Sequence, residues 1–118
     1  WTPAPTTDEV WADMSANEIA TAGQTAYAAG GATLTSVVLN QTGGVVKFTS
    51  AAQVWTADGT GIPAWRYGLV YYVGTLNAKV NPIVGYFLGD ATPADIAATT
   101  TGNTLTVTPN ASGIMTAS

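Results

Sequence analysis

The residues through which this chain could do chemistry are its serines and one pair of neighbouring aspartates. Ser15, Ser36, Ser50, Ser112 and Ser118 each carry a hydroxyl that an adjacent base could activate. The sequence contains no His, so the commonest general base, metal ligand and pH switch is missing. A Lys could stand in, yet Lys47 and Lys79 both lie in β or loop texture and no spacing marks a dyad. Asp90 and Asp95 are the one close carboxylate pair in the body of the chain. A glycosidase pair would need a sugar cleft with aromatic walls, whereas turn and helix-cap residues need nothing more. A calcium loop needs oxygen ligands at alternate positions, and no such run of acids is present. These residues lead to the expectation of a protein that is not an enzyme and holds no cofactor and no metal.

The elements that must position these residues are short. Trp1 to Thr7 holds Pro3 and Pro5 and reads as an extended arm. Thr7 is placed to cap a helix of about two turns over Asp8 to Met14, with Asp8 and Glu9 at its positive end. A helix that short needs docking, and Trp11 is its anchor. Gly30-Gly31 is a break, after which the texture turns to β. Strands are predicted over Thr33–Leu39 and Val45–Thr49, joined by a Gly43-Gly44 hairpin turn, and over Val54–Thr56 up to the turn at Asp58-Gly59.

Arg66–Val73 is the strongest strand. Both of its faces are largely apolar, which predicts a central strand covered on both sides. Asn77–Pro82 returns the chain to Ile83–Leu88, its antiparallel neighbour. Thr92-Pro93-Ala94-Asp95 has the form of a helix start, with a Thr cap and Pro at the first position, and predicts one or two turns over Pro93–Ala98. Leu105–Thr108 and Ile114-Met115 close the chain as short strands. Strands at this spacing predict a mainly β fold, an antiparallel sandwich or barrel-like domain with one or two short helices. The division expected is an N-terminal arm over residues 1–22 and a single β-rich domain over 23–118. Tyr71, mid-strand among apolar neighbours, is predicted to be buried. Most of Trp55, Trp65, Tyr67, Tyr72, Tyr86 and Phe87 are predicted to form the core, exposed sugar-binding or partner-binding positions being the alternative.

Composition narrows the function classes. The chain has 118 residues, enough for one domain. It has no Cys, so no disulfide framework supports it. Only 8% of its residues are charged, against about 25% in ordinary soluble domains. Asp8, Glu9, Asp13 and Glu18 account for the whole net charge of −4, and the other charges cancel. Three basic residues cannot track a phosphate backbone, so nucleic acid is not expected as a partner. No window of 18 apolar residues exists, so no membrane-spanning helix is expected. The chain begins at Trp1 and not at Met, so upstream residues are expected to have been removed, processed or left out. A neutral, charge-poor surface is explained if partners cover it, or if Thr and Asn hydroxyls and amides keep it soluble. Asn40-Gln41-Thr42 and Asn110-Ala111-Ser112 match glycosylation sequons, with nothing else pointing to secretion.

Several segments carry a further signal in their order and spacing. They are Trp11 to Ile19 (WADMSANEI), Tyr27 to Leu34 (YAAGGATL), Val46-Lys47-Phe48, Val54-Trp55, Arg66 to Tyr72 (RYGLVYY), Pro82 to Tyr86 (PIVGY) and Asn110 to Met115 (NASGIM). Together they span almost the whole chain. The set resembles a family of small decoration-type structural proteins of tailed bacteriophages, often encoded near the capsid genes. Relatives commonly carry a further segment upstream of the position matching Trp1. The resemblance implies a virion protein and supplies no catalytic or binding residue. A capsid decoration (cement) protein is the function expected, bound to the outside of the head lattice, with the major capsid protein and neighbouring copies of itself as partners. A tail or fibre component, or an adhesin-like module binding a host surface glycan, is the alternative. The assembly contact is expected at Trp1, Asp8, Glu9, Trp11, Asp13 and Glu18, because acids, prolines and tryptophans combine there.

Overall fold

Short apolar runs broken by Gly, Asn and Thr cannot sustain long elements, and none forms. A computed structural model describes residues 2–4, 6–19, 25–92 and 94–117. Trp1, Pro93 and the expected arm boundary at 22/23 fall outside the described residues. The described chain holds one α-helical turn, α1 (Trp11–Met14), continued by a 3₁₀ turn (Ser15–Asn17). It also holds nine strands: β1 (Val38–Thr42), β2 (Val45–Thr49), β3 (Gln53–Thr56), β4 (Tyr67–Tyr71), β5 (Thr75–Leu76), β6 (Lys79–Val80), β7 (Ile83–Leu88), β8 (Thr104–Val107) and β9 (Met115–Ala117).

The fold is mainly β and antiparallel, in separate small sheets, none of which closes. One sheet runs β1-β2-β9; the others are the pairs β3-β8, β4-β7 and β5-β6. Isolated bridges at Val10–Pro82, Ile62–Thr99 and Trp65–Ile96 add antiparallel pairing outside these strands. The β4-β7 ladder matches the expected pairing, with Leu69 opposite Tyr86 and Gly68 opposite Phe87. Among the described residues β4 is not a central strand, however, because β7 is its one sheet partner. Between them, β5 and β6 form a small hairpin in which Asn77 and Ala78 both take positive φ (49° and 62°). That is the geometry of a mirror-image turn, which suits the twist of a two-residue hairpin. Gly43 and Gly44 make the equivalent turn between β1 and β2 (φ 59° and 83°).

Three elements differ from expectation, each for a local reason. The helix starts at Trp11 and not at Asp8, because residues 9 and 10 are used as strand. Ile83 N–H donates to the Glu9 carbonyl (2.9 Å), and Val10 is extended at φ −130°. The strand predicted over Thr33–Leu39 begins only at Val38, because Ser36 turns to φ 50° and breaks the extension. No helix forms over residues 94–98. There Ile96 N–H donates to the Trp65 carbonyl (2.7 Å) and Trp65 N–H to the Ile96 carbonyl (3.2 Å), drawing the segment into a strand-like bridge. Thr92 does not cap a helix; its N–H and hydroxyl both donate to the Asp90 carboxylate (2.9 Å each).

The fully buried apolar side chains among the described residues are few: Met14 (4% exposed), Ala57 (2%) and Ile62 (1%). Ile62 is held by reciprocal backbone bonds with Thr99, both 2.9 Å. Gly61, at φ 82°, is needed beside it, since a Cβ there would stand 2.6 Å from the Thr99 carbonyl oxygen. Beyond this centre, Trp65 meets Phe87 edge to face, with ring centroids 6.4 Å apart. Trp55, Trp65, Tyr67, Tyr71 and Phe87 are half-buried, while Tyr72 and Tyr86 are exposed. The expected aromatic core is therefore a set of half-covered rings, and Tyr71 is half-buried where full burial was predicted.

Candidate interaction surface

The four N-terminal acids are engaged with the chain itself. Asp8 accepts the Ala4 N–H (2.7 Å) and closes a turn. Glu9 forms an ion pair with Lys79, reaching from the arm to β6. Asp13 accepts the N–H groups of Glu9 and Val10, both at 3.0 Å, and so caps the start of α1. Glu18 accepts the Tyr27 hydroxyl (3.0 Å) and the Gly30 N–H (2.7 Å). Burial first, and the Glu18 carboxylate second, push the Tyr27 phenol well above its ordinary pKa. Trp11 lies flat on Tyr71, with centroids 5.1 Å apart and planes 12° off parallel. The Tyr71 hydroxyl donates to the Gly30 carbonyl (2.8 Å), so α1, β4 and the Gly30 turn share one junction. Of the contact candidates, Glu9 and Trp11 thus fasten the arm to β4, β6 and β7, while Asp8 and Asp13 bond within the arm and Glu18 holds Tyr27 and Gly30.

The body acids have local roles of the same kind. Asp58 accepts the Thr25 N–H (2.7 Å), the Thr25 hydroxyl and the Ala26 N–H (3.2 Å). Those bonds, the Thr25 hydroxyl foremost, hold its pKa below the usual carboxylate value. Asp90 is lowered likewise by its bonds from Thr92. Asp95 pairs with Arg66 at 2.7 Å. Asp90 closes a turn while Asp95 answers a cation, so the pair performs two separate structural tasks. The hydroxyls of Ser15 and Ser50 donate to backbone carbonyls, of Ala12 (3.3 Å) and Ala51 (3.1 Å). Among the described residues no three His, Cys, Asp or Glu side chains gather as metal ligands, and no helix is long and apolar enough to cross a membrane.

The apolar side chains are what this structure leaves uncovered. β1 is exposed along its entire length. Val37 (48%), just before it, and Val38 (50%) and Leu39 (72%) within it are all exposed. Val84, Tyr86 and Leu88 alternate along the outer face of β7, all exposed. Val73, Leu76 and Val80 are exposed on and beside the β5-β6 hairpin. A shallow groove of about 370 Å³ runs between the arm and β7, with Leu69, Ile83 and Tyr86 on its walls beside Asp8, Glu9 and Lys79. On the other side of Gly85, a cleft of about 230 Å³ is lined by Phe48, Val70, Phe87 and Ile114.

The total makes the same point. The chain exposes 7325 Å² at 12.0 kDa. A monomer of that mass typically exposes about 6,000 Å². The radius of gyration is 15.1 Å, where about 13.5 Å is usual for this length. Sequence reasoning placed the contact on the charged arm and passed over these patches. Their signal was present in the uncharged run from Ala32 to Val46, which has no Lys, Glu or Pro to guard a strand edge. No protein-family model matches this chain, and no curated protein or solved structure matches it either.

Proposed function

We propose that this protein is a binding module of a larger assembly, a capsid decoration protein of a tailed bacteriophage that sits on the outer face of the head lattice. The observation that supports this most is the uncovered apolar surface. The chain's total surface, polar and apolar together, exceeds that of a typical monomer by roughly 1,300 Å², more than the roughly 800 Å² that each partner contributes to a standard interface. The low charge favours the same reading, since a surface destined to be covered gains nothing from ions it must desolvate. The order of segments resembling virion proteins supplies the setting. Partners in this reading are the major capsid protein and neighbouring copies of the chain. The second layer of the expected sandwich is supplied across the contact. The arm, with Asp8 and Glu9, borders the groove beside β7 and belongs to the proposed contact region.

The mechanism is linkage without turnover. A protein that binds the assembled lattice and not its separated subunits shifts the equilibrium toward the shell, by about 2.7 kcal/mol per site at a free concentration of 100 Kd. The test is copy number and shell stability measured on one preparation. Hundreds of copies per particle, and shells that disrupt at lower temperature when the protein is stripped off, are expected. A dozen copies or fewer would place it in the tail or at a vertex. Shells of unchanged stability after removal would overturn the cementing role.

A further inference from the structure

We infer that the edge of β1 left unpaired among the described residues is a self-pairing site, at which two copies of this chain join antiparallel about a twofold axis centred on Asn40. The hydrogen-bond pattern of the hairpin decides which residues face outward. The Phe48 carbonyl accepts the Ile114 N–H (2.7 Å), so the backbone of Phe48 is turned toward β9 and away from β1. Leu39 stands opposite Phe48 in the register, so this is the non-hydrogen-bonded kind of pair. By alternation, Val38, Asn40 and Thr42 bond to β2, while Leu39 and Gln41 direct their N–H and C=O groups to the open edge. A second β1 laid antiparallel places Leu39 of one copy beside Gln41 of the other, and the reverse, on either side of a central Asn40–Asn40 pair. Both flanking pairs have outward-facing backbone groups on both sides, so the ladder closes without a shift of register.

Three observations favour a second copy as the occupant. The edge carries none of the usual guards against pairing, since Val37 to Gly44 holds no charge and no Pro. A twofold contact sets each residue near its own copy, and the uncharged strand suffers no like-charge repulsion there, unlike the acidic arm. Leu39 and Val38, both exposed, come beside Gln41 and Thr42 of the second copy in a continuous sheet β9-β2-β1-β1-β2-β9, and the chain as a whole exposes more surface beyond a typical monomer than the roughly 800 Å² per partner of a stable dimer. This pairing does not depend on the capsid reading, because free protein can show it.

The test uses the absence of Cys from the chain. In a non-hydrogen-bonded antiparallel pair the Cα atoms lie roughly 4.5 Å apart, inside the roughly 4.4–6.8 Å range that a disulfide spans. Asn40→Cys should give a reducible covalent dimer under mild oxidation, and Ala111→Cys, at an exposed turn outside β1, should not. Gln41→Pro removes an outward N–H and leaves the bonds to β2 intact, so the fold should survive, as checked by circular dichroism. Sedimentation across a concentration series should then show dimerisation of the unmodified chain, and roughly tenfold or weaker dimerisation for Gln41→Pro. An unmodified chain that stays monomeric at every concentration overturns the proposal, as does a folded Gln41→Pro dimer of unchanged affinity. Should Gln41→Pro unfold, the cysteine pair decides: equal cross-linking at positions 40 and 111 refutes the site.

Discussion

Replacing Gly68 by Ala tests the packing of the β4-β7 ladder directly. Gly68 faces Phe87 across the ladder, and the phenyl ring lies over it. A Cβ at position 68 would stand 2.2 Å from Cζ of Phe87 and 2.7 Å from both ε carbons. The ring must therefore move, and Trp65 is packed against it edge to face. Overpacking of this kind costs about 1–3 kcal/mol. Loss of glycine's freedom in the unfolded chain offsets about 0.4–1 kcal/mol. The net expected loss is roughly 1–2 kcal/mol, a fall in Tm of roughly 4–8 °C for a chain of this size. Gly85 lies on the partner strand and provides the control. A Cβ there meets nothing within 4 Å, so Gly85→Ala should be neutral or stabilise by up to about 1 kcal/mol. Thermal melts of both variants, and of Gly68→Ala in a Phe87→Ala background, complete the assay. The cost at position 68 should vanish once the ring is gone, giving a coupling of about 1–3 kcal/mol. Equal melting points for the two alanine variants would refute the placement of the ring.

Other outcomes follow from the same contacts. Deleting residues 1–14 removes buried Met14, the Trp11 ring on Tyr71 and the Glu9–Ile83 bond, so the body should lose about 2–5 kcal/mol on the Met14 contribution alone, read by urea unfolding. Tyr71→Phe keeps the stack and loses the bond to Gly30, and should cost about 1 kcal/mol in the same assay. The lowered pKa of Asp58 means that its carboxylate stabilises the fold above its unfolded pKa, and that this contribution is lost as pH falls through the lower folded value. Melting points taken from pH 6 downward should therefore drop less steeply for Asp58→Asn than for the unmodified chain; parallel curves would count against the Thr25–Asp58 link.

What the sequence made legible was local. The turn at Gly43-Gly44, the strand Val45–Thr49 and the pairing of β4 with β7 all arise from alternation and turn residues within a short window, and all are present. The helix signal at Thr92–Asp95 was equally local and did not prevail. Asp90 captured the proposed cap, and the backbone of Trp65, far along the chain, captured Ile96. Ser36 could not be read as a left-handed residue, because nothing in Ser itself demands that conformation. The acids of the arm were visible as charge, whereas their roles depend on partners brought in by folding: Lys79 for Glu9, Gly30 and Tyr27 for Glu18. The uncovered patches were hidden for a related reason. Alternating apolar residues announce a half-buried strand, and do not say whether the covering layer belongs to the same chain.

The scarcity of fully buried side chains also bears on how the free protein should melt. An unfolded chain of 12.0 kDa exposes about 17,400 Å², so with 7325 Å² still accessible after folding only about 58% of that surface is removed from water, against about 66% in a typical domain of this mass. Heat capacity of unfolding and denaturant slope both scale with that area. Each should fall below the usual figure for the chain length, and the stability curve of the free protein should be correspondingly shallow and broad in temperature. Covering the apolar patches would restore the missing heat-capacity change, so a transition that sharpens on association is the calorimetric signature of a fold completed by its neighbours.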